Sequence, residues 1–397
     1  MKTRTQKQLP LLVFFLVAIL TTSVDAQTNE QPNIGFSAAK GAYAESADHE
    51  MGFQIGIRMH QLFTYSQPLG NTSGPVTTSI LTRRARLLLR GHMLGNKMGY
   101  FIQLGMDKGT TSLMNAEYRW KPDKYTQISF GQFLLPLGRE EQTASKVLQM
   151  IDRSNMSRFF WLGWDMGINL KRTFRFSDEF ALKTAVALTH GEGRNVRTAS
   201  GGWAYLARID LLPMGLFHGN GDYSESDLYR EPTPKVSFGA GYYFNKDAYT
   251  MMGNNAWDGL DDNFNTIYLD FTFKYLGASL IGEYISRNVD NEILTLSADN
   301  LLYSAITSGD GLNIQGGKFI TETLEPTFRL SFLNPADAPR IAKNAFTYQT
   351  VYSLGLNNFF LGHTLKLQSE IGYVTETYAD TGDANYFQFL IQFGISF

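Results

Sequence analysis

The chain ends in a stretch, Asn385 to Phe397, in which apolar residues alternate with mostly polar or small ones. From Phe387 on, every second position holds Phe or Ile, and the positions between hold Gln, Leu, Gly or Ser. Side chains alternate across a β-strand, so one face of this strand is apolar and the other tolerates water. In a soluble protein a long aromatic edge strand is an aggregation hazard. Lipid outside and water inside remove that hazard, so the pattern predicts the closing strand of a transmembrane β-barrel.

The N-terminus has the layout of a secretory signal peptide. Lys2, Arg4 and Lys7 precede an apolar run over residues 11–20, and Ala26 supplies a small residue at the cleavage position. The run is too short for a transmembrane helix, which needs about 20 apolar residues; a retained helical anchor is the alternative. The predicted division is a signal peptide over residues 1–26, a polar periplasmic lead-in without a strand pattern over 27–49, and an outer-membrane β-barrel over 50–397.

The same alternation runs through the rest of the chain. No later stretch is apolar enough for a transmembrane helix, so strands must carry any membrane crossing. The segments with this alternation number about sixteen, and short and long connections follow each other as in bacterial barrels. Residues 213–233 break this order, and the segment 312–321 is the least regular. We predict an all-β fold, a transmembrane antiparallel β-barrel; a soluble β-sandwich or propeller is the alternative.

Composition excludes several functions. The chain has no cysteine, which removes disulfides, thiol chemistry and cysteine metal sites. Removing residues 1–26 takes three of 35 basic and one of 37 acidic residues, which leaves 32 and 36. An exported, net acidic chain argues against nucleic-acid binding. The six histidines form no zinc motif and accompany no nucleophile motif. We therefore expect no enzyme, metal or cofactor; an outer-membrane phospholipase with a Ser/His pair at the outer surface is the enzymatic alternative.

Arginines on the second predicted strand are the best candidates for function. Arg84, Arg86 and Arg90 share one face, and Arg83 lies on the opposite one with Leu81 and Ala85. Exposing an arginine to lipid costs about 2–4 kcal/mol at the midplane, so the three-arginine face should line the lumen. It either guides anions between residues roughly 6.6–6.8 Å apart or pairs with carboxylates on neighbouring strands, the candidates being Asp107, Glu117 and Asp270. Alternation also turns other basic residues inward: Arg58, Arg119, Lys171, Lys183, Arg208, Lys274, Arg287, Arg329 and Lys366.

Residues 134–163 interrupt the strand pattern after the fifth strand. Ala144, Val147, Leu148 and Ile151 recur at helical spacing, which predicts a helical connection. About thirty residues is long for a loop without a role, so we predict that the segment folds inward and narrows the lumen. An extracellular lid is the alternative. The basic residues of the predicted constriction loop are Arg139, Lys146, Arg153 and Arg158.

Several short motifs resemble the phosphate-selective porin O and P family, over about residues 50–397. The motifs are Thr82-Arg83-Arg84-Ala85-Arg86-Leu87-Leu88-Leu89-Arg90-Gly91, Phe130-Gly131-Gln132-Phe133, Leu135-Pro136-Leu137-Gly138-Arg139-Glu140, Asp152-Arg153-Ser154 and Leu324-Glu325-Pro326 with Arg329. The resemblance implies a sixteen-stranded trimeric barrel, an inward-folded third loop and an arginine ladder that guides anions such as phosphate or pyrophosphate. Of that ladder it implies Arg84, Arg86, Arg90 and Arg139 in this chain.

These observations predict a porin in the bacterial outer membrane that passes small anionic solutes by passive diffusion. The predicted anion path comprises Arg58, Arg84, Arg86, Arg90, Arg119 and Arg329. The expected partners are small anions, outer-membrane lipid and two further copies of the chain in a homotrimer, with no nucleic acid. A structural or adhesin-type barrel with a closed lumen is the alternative.

Overall fold

A computed structural model describes residues 31–38, 41–70, 72, 74–196, 202–248, 262–291, 293–296, 302–306, 308–336, 346–378 and 382–397. The predicted signal peptide lies outside the described residues. No helix in the described part of the chain is long and apolar enough to span a membrane.

The described residues form twenty β-strands and two short α-helices. The first ten strands are β1 (Asn33–Ser37), β2 (Gly41–Glu45), β3 (Gly52–Leu69), β4 (Thr77–Met93), β5 (Met98–Gly105), β6 (Ser112–Asp123), β7 (Thr126–Leu134), β8 (Trp164–Arg175), β9 (Ala181–Thr189) and β10 (Ala204–Leu212). The others are β11 (Lys235–Ala248), β12 (Asp262–Tyr275), β13 (Ala278–Val289), β14 (Ile293–Leu296), β15 (Leu302–Ile306), β16 (Gly309–Lys318), β17 (Leu324–Pro335), β18 (Phe346–His363), β19 (Leu365–Tyr378) and β20 (Gly382–Ser396). The helices are α1 (Arg139–Gln142) and α2 (Asn155–Phe159).

Sixteen of the strands, β3 to β13 and β16 to β20, close into one antiparallel barrel. The last strand pairs with the first, with Ile391 opposite Phe63 and Ser396 opposite Arg58. Its two faces differ as the alternation predicts, because Phe393 is 41% exposed on the outside and Gln392 only 1% exposed inside. The predicted fold class, strand number and closing strand are therefore confirmed, and the uncertain segment at 312–321 corresponds to β16.

The connections identify the two ends of the barrel. Turns are short after β4, β6, β8, β12, β16 and β18, and most connections at the other end are longer. Bacterial barrels have their short turns at the periplasmic end and their long loops outside. The turn between β12 and β13 shows how short such a connection can be. Leu276 and Gly277 both have positive φ, 47° and 79°, as expected for a two-residue turn that matches the twist of a hairpin.

The stretch before the barrel holds a hairpin that the sequence analysis did not predict. β1 and β2 pair with each other, and β2 also pairs with the first residues of β3, Ala42 lying opposite Ile55. β20 occupies the same edge of β3 only from Arg58 onward. The hairpin therefore extends the barrel wall beyond the end of the closing strand, where the rings of Phe36 and Phe397 meet edge to face at 5.1 Å. Strands this short carry too few alternating positions to be recognised in a sequence.

Residues 135–163 contact the inward side chains of the barrel. Leu135, Leu137, Leu148 and Met156 are fully buried. The helical connection predicted from the spacing of Ala144, Val147, Leu148 and Ile151 is wrong, because the segment contains only the short α1, one 3-10 turn and the short α2. The reason is that backbone N–H groups bond to other elements instead of to one another: Ile151 N–H donates to the Glu370 carboxylate of β19 at 3.2 Å.

The unexpectedly long periplasmic connection, residues 213–234, also folds into the lumen. It meets the segment 135–163 there: the Gln149 N–H donates to the Glu225 carboxylate at 2.6 Å, and the Glu225 N–H donates to the Val147 carbonyl at 3.2 Å. Together the two in-folded segments bond mainly to inward side chains of the wall from β10 to β19, with further bonds to Arg58 of β3, Arg84 of β4 and Lys183 of β9. This connection, which is longer than the other periplasmic turns, therefore occupies part of the barrel lumen.

We expect Phe397→Ala to reduce the yield of folded barrel and leave its conductance unchanged. The substitution removes the ring that joins the closing strand to Phe36 but no group inside the lumen. Heat-modifiable mobility in gel electrophoresis measures the folded fraction. Phe360→Ala, which removes another exposed phenylalanine near the periplasmic end, is the matched control. Equal yields of the two variants would contradict a special role of Phe397.

Candidate functional site

A space inside the barrel, here called the outer cavity, has a volume of about 1010 Å³. It lies beside strands β4 to β8 and reaches the extracellular connections at Thr110 and Arg194. Ten basic and three acidic side chains line it, the acids being Asp107, Glu117 and Asp152. The cavity is thus a strongly basic space within a chain whose net charge is −2.

A second space, the inner cavity, has a volume of about 520 Å³ and lies beside the periplasmic turn at Lys124 and Tyr125. Asp210 is its one acidic wall residue in the described part of the chain. Six basic side chains line it: Lys121, Lys124, Lys171, Arg172, Lys183 and Arg208. The basic surface therefore extends from the extracellular to the periplasmic end, along the wall that the two in-folded segments leave open.

The predicted arginines of β4 are largely paired. Arg84 forms an ion pair with Asp152 at 3.0 Å, and Arg86 forms one with Asp107 at 2.9 Å. Arg83 also bonds to Asp152, at 2.9 Å. Pairing with Asp107 was one of the two alternatives for this face, and it holds for Arg86. Asp152 belongs to the in-folded segment, so the carboxylate of Arg84 comes from the loop and not from a neighbouring strand.

The position of Arg83 differs from the one predicted by the register of this strand. His60 of β3 lies opposite Arg84, and Gln61 lies opposite Thr82, so Arg83 is the extra residue of a β-bulge. A bulge places two residues of one strand against one of its partner and breaks the alternation. Arg83 therefore lines the outer cavity instead of facing lipid. Alternation alone gives no sign of a bulge, which explains the wrong prediction.

The ten basic residues of the outer cavity fall into two groups. Four are paired with carboxylates, namely Arg83, Arg84, Arg86 and Arg119. The other six form no ion pair within the part of the chain that the structure describes: Arg58, Arg90, Arg153, Arg158, Lys171 and Arg194. Arg194 belongs to the connection after β9, where no periodicity marks an inward position, and the sequence analysis missed it.

Aromatic rings hold several of the unpaired guanidinium groups. Arg90 lies over the ring of Phe101 at 4.7 Å. Arg153 lies over Trp161 at 4.7 Å and donates to the Thr143 carbonyl at 2.6 Å. A ring face positions a guanidinium by cation–π attraction without neutralising its charge. These arginines are thus held in place with their charge still directed to the cavity.

Three of the predicted site residues do not line either cavity. Arg139 is buried and bonds to Asp270 at 2.5 Å and to Asp210 at 3.0 Å. Arg329 is buried and pairs with Glu140 of the in-folded segment at 2.8 Å. The structure also leaves Lys146 outside both cavity walls. It does bring Arg58, Arg84, Arg86, Arg90, Arg119, Arg153 and Arg158 to the outer cavity.

Arg139 is the centre of a buried charge network that fastens the in-folded segment. Arg208 of β10 bonds to the same two carboxylates, to Asp210 at 2.6 Å and to Asp270 at 2.8 Å. Arg139 also donates to the Asp222 carbonyl of the periplasmic connection at 2.7 Å. Burial by itself lowers the pKa of Arg139, but Asp270, Tyr223 and Asp210 together outweigh it and raise that pKa above its ordinary value.

Two carboxyl groups of the segment have pKa values shifted in opposite directions. Burial raises the pKa of Glu141 to about 7, although the Gly163 and Leu162 N–H groups bond to its carboxylate. Burial would also raise the pKa of Asp152, but the charges of Arg84 and Arg83 lower it below its ordinary value. Within the described residues no group of three or more His, Asp or Glu side chains is placed to hold a metal ion.

The model of a protein family, phosphate-selective porin O and P, matches residues 53–214. Over that stretch the chain is similar to this family. The match includes β3 to β10 and the segment 135–163, and hence most of the wall of both cavities. It confirms the resemblance found in the sequence. No curated protein sequence matches the porin.

Solved structures with the same fold are outer-membrane porins and channels. An anion-selective porin from Comamonas acidovorans aligns with a TM-score of 0.59 at 11% identity, over 88% of this porin and 100% of that chain. The outer membrane channel DcaP of Acinetobacter baumannii aligns at 0.56 and 12%, over 89% and 99%. The trimer form of OmpT from Vibrio cholerae aligns at 0.52 and 12%, over 86% and 99%. Family and fold are those of a channel of the bacterial outer membrane.

We expect Arg139→Gln to destabilise the porin by about 3–5 kcal/mol, because it leaves Asp270 and Asp210 with one cation fewer in a buried network. The in-folded segment should then fluctuate and add noise to the open-channel current. Thermal unfolding and single-channel recordings measure the two effects. Arg158→Gln is the control, since Arg158 lies on the same segment but is exposed and unpaired among the described residues. Equal stability of the two variants would contradict an anchoring role of Arg139.

Glu141 should give the porin a stability that falls as the pH rises. A carboxyl whose folded pKa lies above its ordinary value of 4.5 stabilises the fold below that value, and the contribution is lost through about pH 7. Wild type should therefore lose about 1–3 kcal/mol relative to Glu141→Gln between these pH values. Melting temperatures at a series of pH values measure the difference. Glu322→Gln, at an exposed turn residue, is the control, and parallel pH curves for wild type and Glu141→Gln would refute the assignment.

Proposed function

We propose that this porin lets small anionic solutes cross the outer membrane by passive diffusion through the two basic cavities. The observation that carries the proposal is the charge of the walls: ten basic and three acidic side chains in the outer cavity, and six basic and one acidic in the inner cavity. Charges of one sign between low-dielectric walls concentrate ions of the opposite sign. A net acidic chain can therefore still attract anions into its lumen.

Only some of the basic side chains in the cavity walls are paired with carboxylates. This partial pairing favours the passage of an anion over its tight binding. Conduction requires a site that attracts the ion and also releases it. Arg84 and Arg86 are neutralised by Asp152 and Asp107, whereas Arg158 and Arg194 have no carboxylate partner among the described residues. We infer that the unpaired residues set the anion preference and that the pairs limit how firmly an anion is held.

Two further parts of the proposal concern the solute and the oligomer. A guanidinium fork binds phosphate and carboxylate oxygens bidentately, so oxyanions of the phosphate type are the proposed solutes, in line with the family match. The similar porin from Comamonas acidovorans is anion-selective, which supports the sign of the preference. A homotrimer is the proposed assembly, since one OmpT form of this fold is a trimer.

The reversal potential in a potassium chloride gradient tests the proposal. Wild type should prefer chloride over potassium, and the triple variant Arg90→Gln/Arg158→Gln/Arg194→Gln should prefer chloride less strongly than wild type. Lys97→Gln/Lys246→Gln/Lys318→Gln removes three basic residues that line neither cavity and should behave like wild type. A potassium-selective wild type would overturn the proposal. A folded barrel without any conductance would favour the closed structural or adhesin-type barrel.

A further inference from the structure

The outer and inner cavities have three wall residues in common: Gln127, Gln142 and Lys171. Gln127 of β7 and Lys171 of β8 are cross-strand neighbours, and Gln142 is the last residue of α1 in the in-folded segment. These three residues are here called the junction. The two cavities therefore adjoin each other where Gln127 and Lys171 of the strand wall face Gln142 of the segment, and a solute that crossed from one to the other would pass these residues.

The two glutamines of the junction are neutral and tethered. The Gln127 amide donates to the Ser129 hydroxyl at 3.1 Å. The Gln142 amide donates to the Leu137 carbonyl at 3.1 Å, within its own segment. Their orientation is therefore fixed by the protein, and Lys171 supplies the charge of the junction.

The ammonium group of Lys171 has no hydrogen bond or ion pair within the described ranges of the chain. Two carboxylates act on it electrostatically, Glu117 and Asp210. Glu117 is paired with Arg119 at 2.7 Å, and Asp210 is paired with Arg208 at 2.6 Å. Both carboxylates are thus already neutralised by an arginine, which leaves the Lys171 charge for a passing solute.

The charged residue of the junction is a lysine, which is better suited than an arginine to an anion that must bind and then leave. An arginine fork binds an oxyanion through two parallel hydrogen bonds, whereas a lysine acts as a point charge on a flexible stem. A point charge attracts an anion without fixing its orientation, and release is as necessary as entry for conduction. Nine of the ten described basic residues of the outer cavity are arginines, and the one lysine, Lys171, is also the basic residue that the two cavities share.

We propose that Lys171 determines the anion selectivity of the porin at the junction of the two cavities. This inference rests on the proposed function, because it names the residue at which the anion preference is decided. It moves the selective point away from Arg84 and Arg86 of β4 and from the basic residues of the in-folded segment.

Reversal potentials and single-channel currents of Lys171 variants test the inference. Lys171→Gln should lower the chloride-to-potassium permeability ratio at least about fivefold, the effect of one unit charge at about 4 Å in water-like surroundings. Lys171→Glu should invert the preference, and Lys171→Arg should keep it while prolonging block by inorganic phosphate. Lys97→Gln, in an exposed periplasmic turn outside both cavities, removes the same charge and should leave the ratio unchanged.

Thiol modification repeats the test on channels that are already folded and inserted. The chain has no cysteine, so Lys171→Cys carries a single reactive group. A sulfonate-bearing thiosulfonate reagent should suppress the chloride current, and a trimethylammonium-bearing one should restore the anion preference. Both should react from either side of the membrane, since the junction opens to both cavities. Lys97→Cys is the control, and its modification should leave the current unchanged.

The outcomes separate the two proposals. An anion-selective wild type whose preference survives Lys171→Gln and Lys171→Glu overturns this inference and leaves the proposed function standing. A wild type without anion preference overturns the proposed function, and the inference falls with it. Insensitivity of inserted Lys171→Cys channels to both reagents also overturns the role of Lys171, independently of how well the other variants fold.

Discussion

The arrangement of the lumen depends on the buried network of Arg139 and Arg208 with Asp210 and Asp270. Each arginine bonds to both carboxylates, so the two charges of each sign compensate one another in a place that water hardly reaches. Such a network stabilises a structure only when every member is satisfied. It fastens the start of the in-folded segment to β10 and β12, and the path of the segment across the lumen follows from that attachment.

The segment and the periplasmic connection bond mainly to the wall from β10 to β19, and the basic cavities lie mainly along the opposite wall. The pathway is therefore off the barrel axis and has two kinds of lining. Strands β4 to β9 provide a fixed array of side chains, and the segment provides Gln142, Asp152, Arg153 and Arg158. Arg139, Arg208 and Arg329 thereby hold the in-folded segments through buried ion pairs.

Much of this architecture could be predicted from the sequence, because period-two alternation and connection length are local signals. These two signals predicted the sixteen barrel strands and the inward direction of the side chains of Arg58, Arg119 and Lys171. Contacts between distant residues were not predictable. The bulge at Arg83, the capture of Arg329 by Glu140 and the burial of Arg139 depend on residues far away in the chain. Arg194 escaped detection because an irregular loop has no period.

Asp152 shows how the filling of a barrel can also set its electrical character. This one carboxylate, carried by the segment, forms ion pairs with both Arg83 and Arg84 of β4 and cancels one of their two charges. The charge of the outer cavity wall therefore depends partly on a residue of a loop, whose backbone is not constrained by strand pairing. Exchanging this one loop residue would change the charge of the cavity wall and leave the strand hydrogen bonds of the barrel untouched.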